Sequence, residues 1–194
     1  MNKKCLAFSK EEYEKVINAI RSGFTLDGVK VRPNPRIATI CIVESCLGLR
    51  LGDVLKLRMT DFIYDSGRWR LDIKEQKTGK SRTFTVPDEI YNFIQSWAYN
   101  NNINKKAKLF DVCERQVELH LNKALKYTGI PVGSHGSHSF RKMFATSVYN
   151  ENNHDIELVR ILLQHSSVNI SQRYLGVSQE RVEQAIGKTV TNLI

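Results

Sequence analysis

The feature that most constrains this chain is a change of hydrophobic period. Trp69, Leu71 and Ile73 alternate with Arg68, Arg70, Asp72 and Lys74, and Phe84 and Val86 alternate with Thr83 and Thr85. A period of two marks a half-buried strand, because successive side chains leave a strand on opposite faces. Gln76-Lys77-Thr78-Gly79-Lys80 joins the two runs through a glycine-bearing turn, so they read as a β-hairpin, and Phe62-Ile63-Tyr64 offers a third strand. On both sides of this segment the pattern is helical. The chain is therefore α+β and mainly helical, with one small antiparallel three-stranded sheet.

Ser9-Lys10-Glu11-Glu12 is a capping box that opens a helix carrying Phe8, Tyr13, Val16, Ile17 and Ile20, and Ser22-Gly23 closes it. Thr25 to Pro35 reads as a basic connection. An apolar helix follows from about Pro35 to Leu47 and stops at Gly48, and Gly52-Asp53 begins a short one with Val54, Leu55 and Leu57. Pro87 ends the sheet and starts a helix with Ile90, Phe93, Ile94 and Trp97 inward, and Tyr13, Tyr91, Tyr99, Tyr127 and Tyr149 fall in helical patterns and read as packing residues. Further helices are expected at 114–127, 139–150, 155–163, 168–174 and from Ser178, the last with an amphipathic stripe of Val182, Ala185, Ile186, Val190 and Leu193.

With 194 residues and 41% hydrophobic content, the chain has enough material for one domain, residues 1–194, with a buried core. The apolar stretch Cys5 to Phe8 is too short for a signal sequence, and no run approaches the roughly 18 residues of a membrane span, which points to a soluble, cytoplasmic protein. Cys5, Cys41, Cys46 and Cys113 form no CxxC pair, so neither a disulfide framework nor a zinc site is indicated and buried thiols are expected. Lys and Arg number 29 against 20 Asp and Glu, and a formal charge of +9 favours a polyanionic partner, with nucleic acid the common one.

Four polar clusters stand out from the packing pattern: Gly48-Leu49-Arg50-Leu51-Gly52-Asp53, Lys77 in the hairpin turn, His138-Ser139-Phe140-Arg141 at a helix start, and His165-Ser166-Ser167 with Tyr174 nine residues after His165. These residue types suit phosphodiester transfer. Such a reaction needs a nucleophile, neutralisation of the non-bridging oxygens and an acid for the leaving oxygen. A guanidinium matches two phosphate oxygens at once and stays protonated. A phenol, with a reference pKa of about 10, needs help to lose its proton.

In that order and spacing the clusters resemble the tyrosine recombinases, the phage-integrase family of site-specific DNA strand-transfer enzymes. The likeness spans roughly Ser9 to the C-terminus, and its most specific part is His165-Ser166-Ser167 with Arg173-Tyr174-Leu175. It implies the catalytic fold of that family. It also implies a set of catalytic residues, namely Arg50 and Arg141 as phosphate clamps, Lys77 as acid, His138 for proton traffic, His165 for a phosphate hydrogen bond and Tyr174 as nucleophile. Asp53 supports that set by orienting a catalytic group. Lys80 is a rival for the role of Lys77, and Asp53 also suits a helix N-cap. Outside the resemblance, His138 serves equally as a helix-start residue and His165 as a core histidine.

The family chemistry forms a 3′-phosphotyrosyl enzyme and conserves ester energy, so neither cofactor nor metal is expected. The sequence has no GxxxxGK[ST] loop. The implied partners are double-stranded DNA and further copies of the chain, four when working on DNA and weakly associated or monomeric without it, with room for accessory DNA-bending proteins. The setting would be bacterial or that of a phage or mobile element. The family's N-terminal core-binding domain is missing from residues 1–194. The tail, about 178–194, either passes to a neighbouring protomer or folds back on its own core. A type IB topoisomerase and a catalytically silent DNA-binding relative are the alternatives.

Overall fold

The computed structural model describes residues 5–175, leaving aside the side chains of Arg173 and Tyr174. The chain divides into two compact units, Met1–Phe144 and Ala145–Ile194.

The first unit opens with α1 (Lys10–Ser22). Ser9 Oγ accepts the Glu12 N–H at 3.1 Å and Glu12 returns the bond to the Ser9 N–H, so the capping box forms as read. Where the sequence suggested a plain connection there is a second, two-stranded sheet of β1 (Phe24–Leu26) and β2 (Val29–Val31). Its turn is Asp27-Gly28, with both residues at positive φ (50° and 77°), the backbone that a tight two-residue hairpin requires. The basic side chains around it mask the alternation that would have marked the strands.

Next comes α2 (Pro35–Leu47), capped by the Asn34 side chain and buried along most of its length. Gly48 ends it in the left-handed conformation, and α3 (Leu51–Val54) follows at once. After a 3-10 turn at Met59–Asp61, β3 (Phe62–Asp65), β4 (Arg68–Lys74) and β5 (Ser81–Val86) form the expected antiparallel sheet in sequential order. Leu71 lies opposite Phe62 on one side and Phe84 on the other, and it is fully buried. The sheet leans on α4 (Asp88–Asn100) through Trp69, whose ring stacks on Tyr91 at a centroid distance of 3.5 Å.

Then α5 (Glu114–Tyr127) packs on α1, burying Val117, Leu121 and Leu125. Finally α6 (Ser137–Glu151), which begins two residues before the sequence pattern suggested, sets Phe140 against Phe8 at 4.7 Å. Its last residues, from Ala145, belong to the second unit. That unit continues with α7 (Ile156–Leu163), capped by Asp155, and α8 (Val168–Leu175), with Val159 and Leu163 buried.

Two packing expectations fail. Tyr99 is 82% exposed although its helical spacing suggested burial, and among the cysteines Cys41 is buried while Cys46 and Cys113 are exposed. The helix read from Ser178 and the tail at 178–194 lie outside the described residues. Among the described residues no helix is long and apolar enough to cross a membrane.

Candidate active site

Three of the six residues that the sequence offered as catalytic line one cavity. Arg50 comes from the junction between α2 and α3, Lys77 from the turn between β4 and β5, and His138 from the first turn of α6. The cavity, of about 400 Å³, is also lined by Asp53, Gln76, Glu114, Glu118 and Ser137. Lys80, the rival of Lys77, is not among its walls. A larger cavity of about 670 Å³, between the sheet and α4, is lined chiefly by aromatic and neutral side chains, with Lys105 at its edge.

The local fold explains why Arg50 and Lys77 meet. Gly48 turns the chain sharply at the end of α2, which leaves Arg50 extended (φ −78°, ψ 151°) at the start of α3. Its Nη1 donates to Glu75 Oε2 at 2.7 Å. Asp53 does not cap a helix; its Oδ1 accepts the Gln76 N–H at 2.8 Å and so pins the hairpin turn beside Arg50.

Arg141 lies deeper, 2% exposed, and donates through Nη1 to the carbonyl of Gly48. The same carbonyl accepts from Arg82 Nη1 at 3.4 Å, and Arg82 Nη2 donates to Leu47 O at 3.3 Å. Arg50, Arg82 and Arg141 thus gather around the end of α2. Glu75 sits among them, 3.7 Å from Arg82 Nη1. Burial, then the charge of Arg141, pull the Arg82 guanidinium down to about 10, which leaves it protonated at neutral pH. For Glu75, burial alone would raise the carboxyl, but hydrogen bonds from Arg50 and Thr78 outweigh it and hold it below the ordinary value.

The cationic cluster acts on His138. Partial burial lowers its pKa first, and Arg141, Lys77 and Arg50 lower it further, with Glu118 opposing. A neutral imidazole that can accept a proton results. Beneath the cluster Glu44 is fully buried on α2, and neither carboxylate oxygen has a hydrogen-bond partner. Burial pushes it well above the carboxylate range while Arg141 pulls it back.

In the second unit, His165 is buried in the turn between α7 and α8, and its Nδ1 lies 2.9 Å from Ser171 Oγ. Arg160 brackets that turn, donating from Nη1 to His165 O and pairing with Glu157. Tyr174 lies on α8, three residues beyond Ser171.

Glu75 and Arg82 are the residues that sequence reasoning missed, and a signal existed. The alternation that turns Leu71 inward on β4, carried one residue past the strand's end, also turns Glu75 inward, and on β5 it places Arg82 on the face of Phe84 and Val86. Opposite charges at two inward positions of one hairpin predict a buried pair.

Comparison with known proteins adds four findings. The sequence model of the phage integrase family matches residues 8–181. The tyrosine recombinase XerH of Helicobacter pylori is 25% identical over 192 residues, covering 95% of this chain and 52% of the relative, so the chain spans about half that protein's length. The probable integrase/recombinase YoeC of Bacillus subtilis is 27% identical over 175 residues, covering 88% of this chain and 95% of YoeC. The fold is shared with the crystal structure of XerH bound to palindromic difH substrate in a post-cleavage complex, at a TM-score of 0.74 and 24% identity over 95% of this chain and 53% of that one.

Proposed function

The chain belongs to the phage integrase family, and from that premise we propose that it cuts and rejoins DNA at a specific site through a 3′-phosphotyrosyl bond on Tyr174. The carrying observation is that Arg50, Lys77 and His138, far apart in sequence, line one cavity. The family match runs through both compact units, which supports reading them as parts of one catalytic domain.

The scissile phosphate is proposed to enter the cavity at Arg50. Glu75 holds Nη1 of that guanidinium and so orients its plane before DNA arrives. Arg141 and Arg82 add positive charge from below, where the low dielectric gives it more weight than in water. The Tyr174 phenol oxygen forms the new P–O bond while neutral His138 takes its proton. The P–O5′ bond breaks, its electron pair stays on O5′, and Lys77 supplies the proton there. His165, oriented by Ser171, hydrogen-bonds a non-bridging oxygen. One phosphate ester replaces another, so the reverse attack by a second strand's 5′ hydroxyl needs no external energy.

The working partners are double-stranded DNA and three further copies of the chain, because exchange between two duplexes takes four cuts. Accessory DNA-bending proteins and a cytoplasmic setting belong to the same proposal. XerH bound to its difH substrate supports the DNA partner by kinship.

The test is covalent capture. The full-length polypeptide is incubated with a pool of nicked duplexes of randomised core sequence, and protein–DNA adducts are isolated under denaturing conditions. Wild type should yield an adduct on an enriched sequence and Tyr174→Phe none. Joining of two different duplexes then separates a recombinase from a relaxing topoisomerase. An enriched adduct that persists in Tyr174→Phe, or no adduct from wild type, overturns the proposal.

A further inference from the structure

Glu75 is 1% exposed and bonds both to Arg50 and to the turn that carries Lys77, without taking part in the chemistry proposed above. Its Oε2 accepts from Arg50 Nη1 at 2.7 Å and from the Thr78 hydroxyl at 2.9 Å. Backbone bonds from Glu75 N to Lys80 O and from Gly79 N to Glu75 O close the turn. On its other flank, Asp53 accepts the Gln76 N–H. Lys77 therefore sits between two residues that are each tied down: Gln76 to Asp53 on α3, and Thr78 to the carboxylate that also grips Arg50.

Such a device answers a physical need. Lys77 is exposed at a hairpin tip, on a flexible four-carbon stem, and a proton donor works only within hydrogen-bond reach of the leaving oxygen. A misplacement of about 1 Å can cost about a hundredfold in rate. We propose that Glu75 is a positioning residue that locks the Lys77 turn to the Arg50 guanidinium, so that phosphate clamp and proton donor are set in register by one carboxylate. The assignment rests on the recombinase reading for its chemistry, and on the hydrogen bonds alone for the coupling.

The leaving atom separates this role from a merely structural one. With oxygen at the bridging 5′ position, P–O cleavage needs the proton from Lys77. With sulfur there, the P–S bond breaks and a thiolate departs unaided, because thiols ionise near a pKa of about 8.5 whereas water does so at about 15.7. A fault in proton delivery is thus hidden by sulfur, and a fault in phosphate clamping is not.

The experiment uses Glu75→Gln, which keeps the shape, and Thr78→Val, which cuts the exposed tie and leaves the core charges in place. On the nicked duplex recovered by covalent capture, both variants should form adduct about 10- to 100-fold more slowly than wild type. On the same duplex with bridging sulfur the Thr78→Val deficit should shrink to about threefold or less, as for Lys77→Ala, and the Glu75→Gln deficit only in part, because that change also loosens Arg50, while Arg50→Ala stays slow on both. In the DNA-free protein, amide exchange at residues 76–80 should quicken about tenfold in both variants, with the amides of α2 unchanged. Wild-type rates on the oxygen substrate, a Thr78→Val deficit that persists on sulfur, a Glu75→Gln deficit that sulfur leaves unchanged, or unaltered exchange at 76–80 would each overturn the assignment. If wild type forms no adduct at all, the recombinase reading fails, and the exchange data alone decide whether the lock exists.

Discussion

Replacing Gly48 by Ala tests how the clamp is built. Gly48 sits at φ 57°, ψ 29°, its N–H closes α2 on Glu44 O, and its carbonyl accepts from Arg141 and Arg82. A side chain there meets two separate penalties. An L-residue in the left-handed region costs about 1–2 kcal/mol. The new Cβ would also lie 2.3 Å from Phe144 Cδ1 and 2.6 Å from Cε1, and overpacking of that kind costs about 1–3 kcal/mol. The sum, about 2–5 kcal/mol, lowers a melting midpoint by about 4–20 °C in a chain of this size. Thermal unfolding followed by circular dichroism measures it, and the Phe144→Ala background divides it. Without the ring the steric part vanishes, so the penalty of Gly48→Ala should drop to the backbone share of about 1–2 kcal/mol. A variant that melts within about 1 °C of wild type, or a penalty equal in both backgrounds, would refute this account of the junction.

Three further outcomes follow from the same geometry. Because burial raises Glu44 above the ordinary 4.5, the folded state holds a proton that the unfolded chain has released, so its contribution is present below that value and is lost as pH rises through the folded pKa. Glu44→Gln should therefore gain on wild type in unfolding free energy as pH rises, by no more than about 1.4 kcal/mol per pH unit, and a difference in urea denaturation that ignores pH would contradict the burial argument. Arg82→Met removes both carbonyl bonds at the end of α2 and one partner of Glu75, and urea denaturation should show a loss of about 3 kcal/mol or more; under about 1 kcal/mol would mean that the pair is dispensable. Asp155→Ala strips the cap that accepts from the Glu157 and Leu158 amides, costing about 1 kcal/mol and speeding amide exchange in the first turn of α7, and unchanged exchange there would count against the cap.

The elements that sequence reasoning placed well are those whose cause is local. The Ser9 capping box, the glycine stop at Gly48, Pro87 before α4 and the alternation on β4 and β5 each act within a few residues, so the chain displays them without help from the fold. The β1–β2 hairpin was missed although Asp27-Gly28 is a strong two-residue turn. Three-residue strands give too little alternation to register, and Lys30 and Arg32 gave the segment the look of a solvated loop. Tyr99 fails for the opposite reason: helical spacing reports which face a residue occupies, and only tertiary packing decides whether that face near a helix end is covered.

For the candidate site the division is sharper. Arg50, Lys77, His138 and Arg141 were singled out because phosphate chemistry restricts the residue types it can use, and restricted types in a fixed order are legible without coordinates. The carboxylates that govern them, Asp53, Glu75 and Glu44, answer to a different rule. Three guanidiniums gathered at the end of one helix repel each other, and the fold tolerates them only with negative charge placed among them. That requirement fixes how much charge is needed and roughly where in space, yet it leaves open which residue supplies it, so any inward position on a neighbouring element will serve. Glu75 comes from the position just after β4, Asp53 from the helix after Arg50 and Glu44 from the helix before it. A catalytic group is identified by what it does to the substrate, whereas its support is identified by where the fold happens to deliver a countercharge. Hence the turn that carries Lys77 is held, beside Asp53, by Glu75 and Thr78, which no motif announces, and on the proposed reading substitutions at either should disturb the chemistry.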